Sequence, residues 1–310
     1  MKKIAIIDCG TNTFNLLIAT KINGNLKPLI KKRRVVKLAE HNKNEITINK
    51  NAIARAISTM TFYKKIIDRE KIDSRNIYCV GTSAIRDATN SKSFINQIKI
   101  KSRINIQPIN GIKEASYIFT GILNEGVFSD ETVLIMDIGG GSVEFIISED
   151  KKIVWKKSFP IGSERILNFI QPIFPFSKLN KLANNKIFEL ELKDLLKAIT
   201  KYNPEILIGS SGSFESLISI KNNLVPKKPL INTYKQRLKI SDFNIIYTDL
   251  MKKDFKGLLS TPGLIRIRAK MIIPSIMLIK FVLQKMYKPQ IIVSKYSLKE
   301  GIAFTVLKDH

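Results

Sequence analysis

The sequence has little of what most metal and nucleophile chemistries need. Its two cysteines, Cys9 and Cys79, in 310 residues exclude a disulfide-stapled fold and a four-thiolate zinc site. Two histidines argue against a histidine-rich metal centre or a Ser-His-Asp triad, since His310 is the last residue and His41 is expected in a polar loop. With 15 glycines and 11 prolines, collagen-like and low-complexity readings fail. Long apolar runs are also missing. Only Ile4 to Ile7 separate Met1-Lys2-Lys3 from Asp8, which makes no secretion signal. The stretch Met271 to Leu283 is interrupted by Pro274 and Lys280 and falls short of the ~20 residues of a membrane span. The chain therefore reads as soluble and cytoplasmic, without a membrane partner.

Acidic residues are scarce: 26 Asp and Glu face 52 Lys and Arg, a net charge of +26. That excess suits a polyanionic partner. It equally suits codon bias, because Lys, Ile, Asn and Phe are abundant together. A nucleic-acid partner is disfavoured, since no helix concentrates arginine with aromatic residues and there is one tryptophan. Hydrophobic residues make up 44%, ample for a core, and the length predicts two domains or one large one at ~100–200 residues each.

Short apolar runs alternate with helical spacing, which predicts an α/β fold. Strands are expected at 3–8, 13–20, 25–30, 77–81, 132–137, 143–148, 152–160, 205–208 and 291–294. Helices are expected at 51–68, 94–101, 114–124, 187–200, 268–286 and 298–307. Loops are expected around Thr82, Ser83 and Arg86, at 209–213 and across 221–239.

One pattern occurs twice. Asp8-Cys-Gly10-Thr11-Asn12-Thr13 and Asp137-Ile-Gly139-Gly140-Gly141-Ser142 each place an Asp at the end of an apolar strand. Glycine follows two residues later, then hydroxyl residues and a second apolar strand. Glycine lets backbone approach a ligand closely, and successive N–H groups in a tight turn make an anion nest. An Asp at the mouth suits a hydrated Mg²⁺. The repetition suggests two lobes of similar design, each offering one polar hairpin tip; if the tips face each other, the cleft between them is the expected site. There is no G-x-x-x-x-G-K-[ST], so this is no P-loop NTPase.

These motifs, with Gly81-Thr-Ser-Ala-Ile-Arg86-Asp-Ala-Thr-Asn90, Ile109-Asn-Gly-Ile-Lys-Glu114-Ala, Asp137 to Glu144, Pro160-Ile-Gly162-Ser-Glu-Arg165, Arg268 and Glu300-Gly301, resemble in order those of the exopolyphosphatase/guanosine pentaphosphate phosphatase (Ppx/GppA) family. The resemblance implies two RNase H-like lobes of the actin/Hsp70/sugar-kinase superfamily with an interdomain cleft. It implies domain I at 1–117 plus 297–310, and domain II at 118–296. It also implies release of terminal orthophosphate from polyphosphate or guanosine pentaphosphate, with Glu114 activating water. Thr11, Asn12, Thr13, Arg86, Gly139, Gly140, Gly141 and Ser142 would bind phosphate. Asp137, Glu144 and Asp8 would hold Mg²⁺ or another divalent cation. Relatives are often homodimers. The chain departs from the family at Asn15, where His or Arg is common, at Lys113 in place of an acid, and at Lys299 in place of Arg. These departures motivate the alternative of a catalytically weak polyphosphate or alarmone sensor.

Overall fold

The computed structural model describes residues 2–42, 45–128, 130–170, 178–224 and 236–307. The chain divides into two compact units, residues 1–121 with 298–310, and residues 122–297.

In the first unit, β1 (Ile4–Cys9), β2 (Thr13–Ile22), β3 (Asn25–Val35), β6 (Ile77–Gly81) and β7 (Gln107–Pro108) form a sheet in the order β3-β2-β1-β6-β7. The first three strands run antiparallel and β6 pairs parallel with β1. A separate two-stranded ladder joins β4 (Ala39–Asn42) to β5 (Glu45–Ile48). The β2–β3 turn needs Asn23 at φ 48° and Gly24 at φ 80°, the left-handed pair that a tight hairpin demands. β1 is apolar on both faces because both are covered.

Helix α1 (Lys50–Arg69) starts where Asn49 Oδ1 accepts from the Ala52 amide at 2.8 Å, satisfying one of the orphan donors of a helix start. Its face of Ala52, Ala56, Met60, Tyr63 and Ile67 packs into the core of this sheet. The Tyr63 hydroxyl donates to Phe14 O at 2.8 Å, so its polar tip is satisfied inside that core. Helices α2 (Ser83–Asp87), α3 (Ser91–Ser102) and α4 (Gly111–Glu125) follow, and α12 (Leu298–Val306) closes the unit. A Cβ at Gly301 would lie 1.7 Å from Tyr117 O. Only glycine lets α12 lie this close to the α4 backbone.

The second unit carries β8 (Val133–Ile138), β9 (Val143–Glu149), β10 (Lys152–Phe159), β11 (Ile206–Ser210), β12 (Gln236–Leu238) and β13 (Gln290–Val293), in the order β10-β9-β8-β11-β13-β12. Without β12 this is the order of the first sheet: an antiparallel three-strand meander, then parallel strands. Its helices are α5 (Ser163–Ile170), α6 (Lys178–Glu191), α7 (Lys193–Tyr202), α8 (Ser211–Leu224), α9 (Ile240–Lys252), α10 (Phe255–Leu259) and α11 (Ile272–Lys285). Helix α11 is buried on nearly every side. It tolerates Pro274 because that residue sits in the first turn, where a backbone N–H has no intrahelical partner.

Several expectations need correction. β3 continues to Val35, through the whole basic run Lys31-Lys32-Arg33-Arg34. His41 lies in strand β4 rather than a loop, while His310 lies outside the described residues. The residues around Arg86 form a short helix, with the Ile85 and Arg86 amides both donating to Thr82 O. The expected helix at 187–200 is two helices meeting at Leu192. Segment 209–213 ends β11 and opens α8 rather than forming a loop. Of the expected 221–239 loop, residues 221–224 are helical and 236–238 form β12, while 225–235 fall outside the described residues. Helix α11 begins at Ile272, after a 3₁₀ turn at Arg266–Arg268.

Candidate functional site

In the first unit, the β1–β2 turn is closed by the Gly10 amide donating to Thr13 O at 3.1 Å. The carbonyls of the turn face the chain that follows β3. Thr11 O accepts from Leu38 N at 2.8 Å, and Asn12 O accepts from Val36 N and Lys37 N at 2.8 and 3.0 Å. Across the sheet, Asp8, Asn15 and Arg33 occupy one register row on adjacent strands. Asn15 Nδ2 donates to Asp8 Oδ2 at 3.1 Å, and Arg33 Nε donates to Asn15 Oδ1 at 3.0 Å. One amide thus links a carboxylate to a guanidinium.

Glu114 stands in the first turn of α4 and is 7% exposed. The turn is anchored by Asn110, whose Oδ1 accepts from Lys113 N at 2.8 Å and whose carbonyl accepts from Glu114 N at 3.0 Å. Arg86 comes from α2. Its Nη1 donates to Glu114 Oε2 at 3.4 Å and to Ile109 O at 3.3 Å, and its Nε donates to Asp87 Oδ1 at 2.9 Å. Two residues 28 positions apart in sequence are thereby brought into an ion pair.

The second unit repeats the first turn. Gly139 N donates to Ser142 O at 2.9 Å, and a Cβ at Gly139 would meet that oxygen at 2.9 Å. The loop is gripped from behind by the start of α5. Ser163 N donates to Gly139 O at 3.0 Å, and Glu164 N and Arg165 N donate to Gly140 O at 2.9 and 3.4 Å. A Cβ at Gly162 would lie 2.3 Å from Gly140 O, which explains the glycine there. With these carbonyls turned toward α5, an anion would meet the amide side of the loop.

Asp137 and Glu144 are partners across β8 and β9, with exposures of 5% and 1%. Ser210 and Ser297 both donate to Asp137 Oδ2, at 2.6 and 2.5 Å, and Ser158 donates to Glu144 Oε1 at 2.7 Å. Ser210, Asp137, Glu144 and Ser158 form one row across four strands. The two units therefore correspond in register, with Asp8 at the position of Asp137 and Asn15 at that of Glu144.

Sequence reading missed the three serines and the Asn15–Arg33 link. Ser158 and Arg33 become visible only once strand register is known, and Ser297 carries no local signal. Farther along this unit, Arg268 lies over Gly212, where a Cβ would meet its guanidinium at 1.8 Å. Its Nη1 donates to Ser216 Oγ at 3.3 Å and its Nη2 to Glu215 Oε2 at 3.2 Å.

Among the described residues, no group of three or more His, Cys, Asp or Glu could cage a metal ion. Mg²⁺ does not need such a cage, because it keeps several waters and is usually held by one or two carboxylates together with substrate phosphates. Two carboxylates side by side in one buried row suit a cation of that kind. No helix among the described residues is long and apolar enough to cross a membrane.

Comparison with known proteins gives a consistent result. A model of the Ppx/GppA phosphatase family matches residues 17–310. The crystal structure of an exopolyphosphatase from Cytophaga hutchinsonii superposes with a TM-score of 0.93 at 34% identity, covering 99% of this chain and 98% of that one. The bifunctional 3-dehydroquinate synthase/phosphatase of Fusobacterium nucleatum is 34% identical over 269 residues, 82% of this chain and 40% of that protein. The guanosine-5′-triphosphate,3′-diphosphate pyrophosphatase of Vibrio parahaemolyticus is 28% identical over 225 residues, 70% of this chain and 43% of that protein. The chain thus spans less than half the length of these last two relatives. With matching sheets, paired Asp-Gly turns and a family match over nearly its whole length, the chain belongs to the Ppx/GppA phosphatase family.

Proposed function

We propose that the protein is a phosphohydrolase that releases terminal orthophosphate from a phosphoanhydride chain, either inorganic polyphosphate or the 5′ arm of guanosine pentaphosphate. The observation that carries this reading is the Arg86–Glu114 pair, a near-buried carboxylate fixed beside a guanidinium. Hydrolysis of a terminal phosphate needs a positioned water, amide donors for the phosphoryl oxygens and positive charge for the leaving oxygen.

In this reading the loop of Gly139, Gly140, Gly141 and Ser142 offers phosphate the amides of its last three residues, the Gly139 amide being committed to Ser142 O, and in the first unit Thr11, Asn12 and Thr13 offer theirs. Glu114 orients a water and takes its proton as the water oxygen attacks phosphorus. The bridging P–O bond breaks, and its electron pair stays on the shortened chain. Arg86 contributes charge to the phosphoryl oxygens. Asp137 would hold a divalent cation, with Glu144 and Asp8 as further carboxylates. When bound, that cation would neutralise developing negative charge. Ser210 and Ser297 both donate to Asp137 Oδ2, which would keep this carboxylate in place to hold the cation. The Asn15 departure motivates a binding-only sensor, but Arg33 donates to the Asn15 amide and so keeps a cation next to that position.

The direct test supplies the purified chain with long-chain polyphosphate, tripolyphosphate and guanosine pentaphosphate, with and without Mg²⁺, and measures orthophosphate. Release that requires the metal is expected. No release from any of the three, with Mg²⁺ or Mn²⁺, ends the proposal.

A further inference from the structure

The edge strand β3 carries charge of one sign on a scale the candidate site does not use. Over residues 27–34 it holds Lys27, Lys31, Lys32, Arg33 and Arg34 and no acid, and all five cations are exposed. At ~3.3 Å per strand residue this row is roughly 23 Å long. Its register gives it a direction. Arg34 lies opposite Phe14, at the end of the β1–β2 turn, whereas Lys27 lies opposite Thr20. The row thus runs outward from the first phosphate-loop candidate along an open sheet edge.

An edge strand carries lysines and a proline for a simpler reason as well, since they block edge-to-edge pairing with another chain, and Pro28 fits that role. Protection of an edge, however, needs only solvated charge. Here three of the cations are individually placed. Arg33 donates to Asn15, Arg34 lies 4.8 Å from the ring centroid of Phe62, and Lys31 pairs with Glu300 at 3.3 Å. Holding such side chains still costs them rotamer entropy. A strand whose side chains alternate between its two faces can also touch a linear polymer lying along the edge from both sides.

We propose that β3 is an exosite for the distal part of a linear polyanion, which selects long-chain polyphosphate over short oligophosphates and nucleotides. The assignment rests on the hydrolase reading for its substrate but not for its measurement. A short oligophosphate seated at the loop does not reach the Lys27 end, so the row would act on long chains alone.

The test uses K27Q/K32Q, since Lys27 and Lys32 lie outside the candidate catalytic machinery. Fluorescence anisotropy with end-labelled long-chain polyphosphate gives affinity without turnover, with labelled tripolyphosphate as the short-chain control. The double variant should weaken long-chain binding about 3- to 10-fold and lower the slope of log affinity against log salt by about 1–2, as expected for two lost phosphate contacts. Tripolyphosphate binding and its hydrolysis should not change. Equal effects on both ligands, or none on either, overturn the exosite. So does a variant that aggregates or self-associates while its long-chain affinity is unchanged, which assigns the cations to edge protection. If the wild-type chain binds long polyphosphate through this row yet releases no phosphate, the exosite stands and the hydrolase reading falls.

Discussion

Gly162→Ala tests whether the glycine loop of the second unit is held in shape from behind. The added Cβ would lie 2.3 Å from Gly140 O, 2.4 Å from Gly140 C and 2.5 Å from Gly141 C. Ordinary carbon contacts begin near ~3.5 Å, so loop and helix start must separate by about 1 Å. The contacts at risk are the three hydrogen bonds that the Ser163, Glu164 and Arg165 amides donate to Gly139 O and Gly140 O. Each is worth about 1 kcal/mol net, and the overpacking adds about 1–3 kcal/mol. Partial relaxation brings the expected destabilisation to about 2–4 kcal/mol, which urea unfolding resolves. A ~1 Å misplacement of groups that position substrate can lower turnover about 10²-fold, so orthophosphate release should collapse in the fraction that stays folded. If Gly162→Ala unfolds at the wild-type urea concentration and turns over normally, the bracing argument is wrong.

Gly301→Ala places a Cβ 1.7 Å from Tyr117 O. It should destabilise the first unit by at least about 3 kcal/mol, and a melting temperature within a degree or two of wild type would refute the close approach. Cys9 and Cys79 are buried with their sulfurs 3.7 Å apart, so Cys9 should resist alkylation by iodoacetamide in the folded chain and react promptly in urea; fast native labelling would contradict this burial. Burial pushes the Cys9 thiol well above its ordinary value of 9.0, and burial likewise raises the Tyr63 phenol. Both groups are neutral when protonated, and the unfolded chain gives up these protons first. Their contribution to stability is therefore complete below pH 9 and is lost as pH climbs past it. Urea midpoints should fall between pH 8 and 10.5, and less steeply in Cys9→Ser; an identical fall in both would remove the thiol from the account.

The residues show where the sequence alone sufficed. Asp8-x-Gly10 and Asp137-x-Gly139 announced two matching turns because a glycine turn after an apolar strand is a local event. The structure extends that match to strand order and to the Asp8/Asp137 and Asn15/Glu144 correspondences, which depend on register. The Arg86–Glu114 pair joins α2 to α4 and has no local signature, although both residues stood out within their motifs. Helix α8 was missed because Gly209-Ser-Ser-Gly-Ser resembles a loop. Its glycines instead serve packing, with Phe214 against Gly209 and Arg268 over Gly212. β3 was expected to end at Ile30 but continues to Val35, because an edge strand accepts the exposed basic run Lys31-Lys32-Arg33-Arg34.

The most direct test of the central claim is orthophosphate release by Glu114→Gln with long-chain polyphosphate and Mg²⁺. The amide keeps the shape of the side chain and removes its capacity to take a proton. The Arg86–Glu114 pair is partly exposed on its Arg86 side, so folding should weaken by about 1 kcal/mol or less, within reach of a parallel melting curve. Loss of a general base lowers turnover about 10²- to 10⁴-fold, equivalent to about 2.7–5.4 kcal/mol on the barrier, well beyond what that change in stability explains. The account predicts a folded variant whose orthophosphate release has fallen by that factor. A folded Glu114→Gln that releases phosphate at the wild-type rate would contradict it.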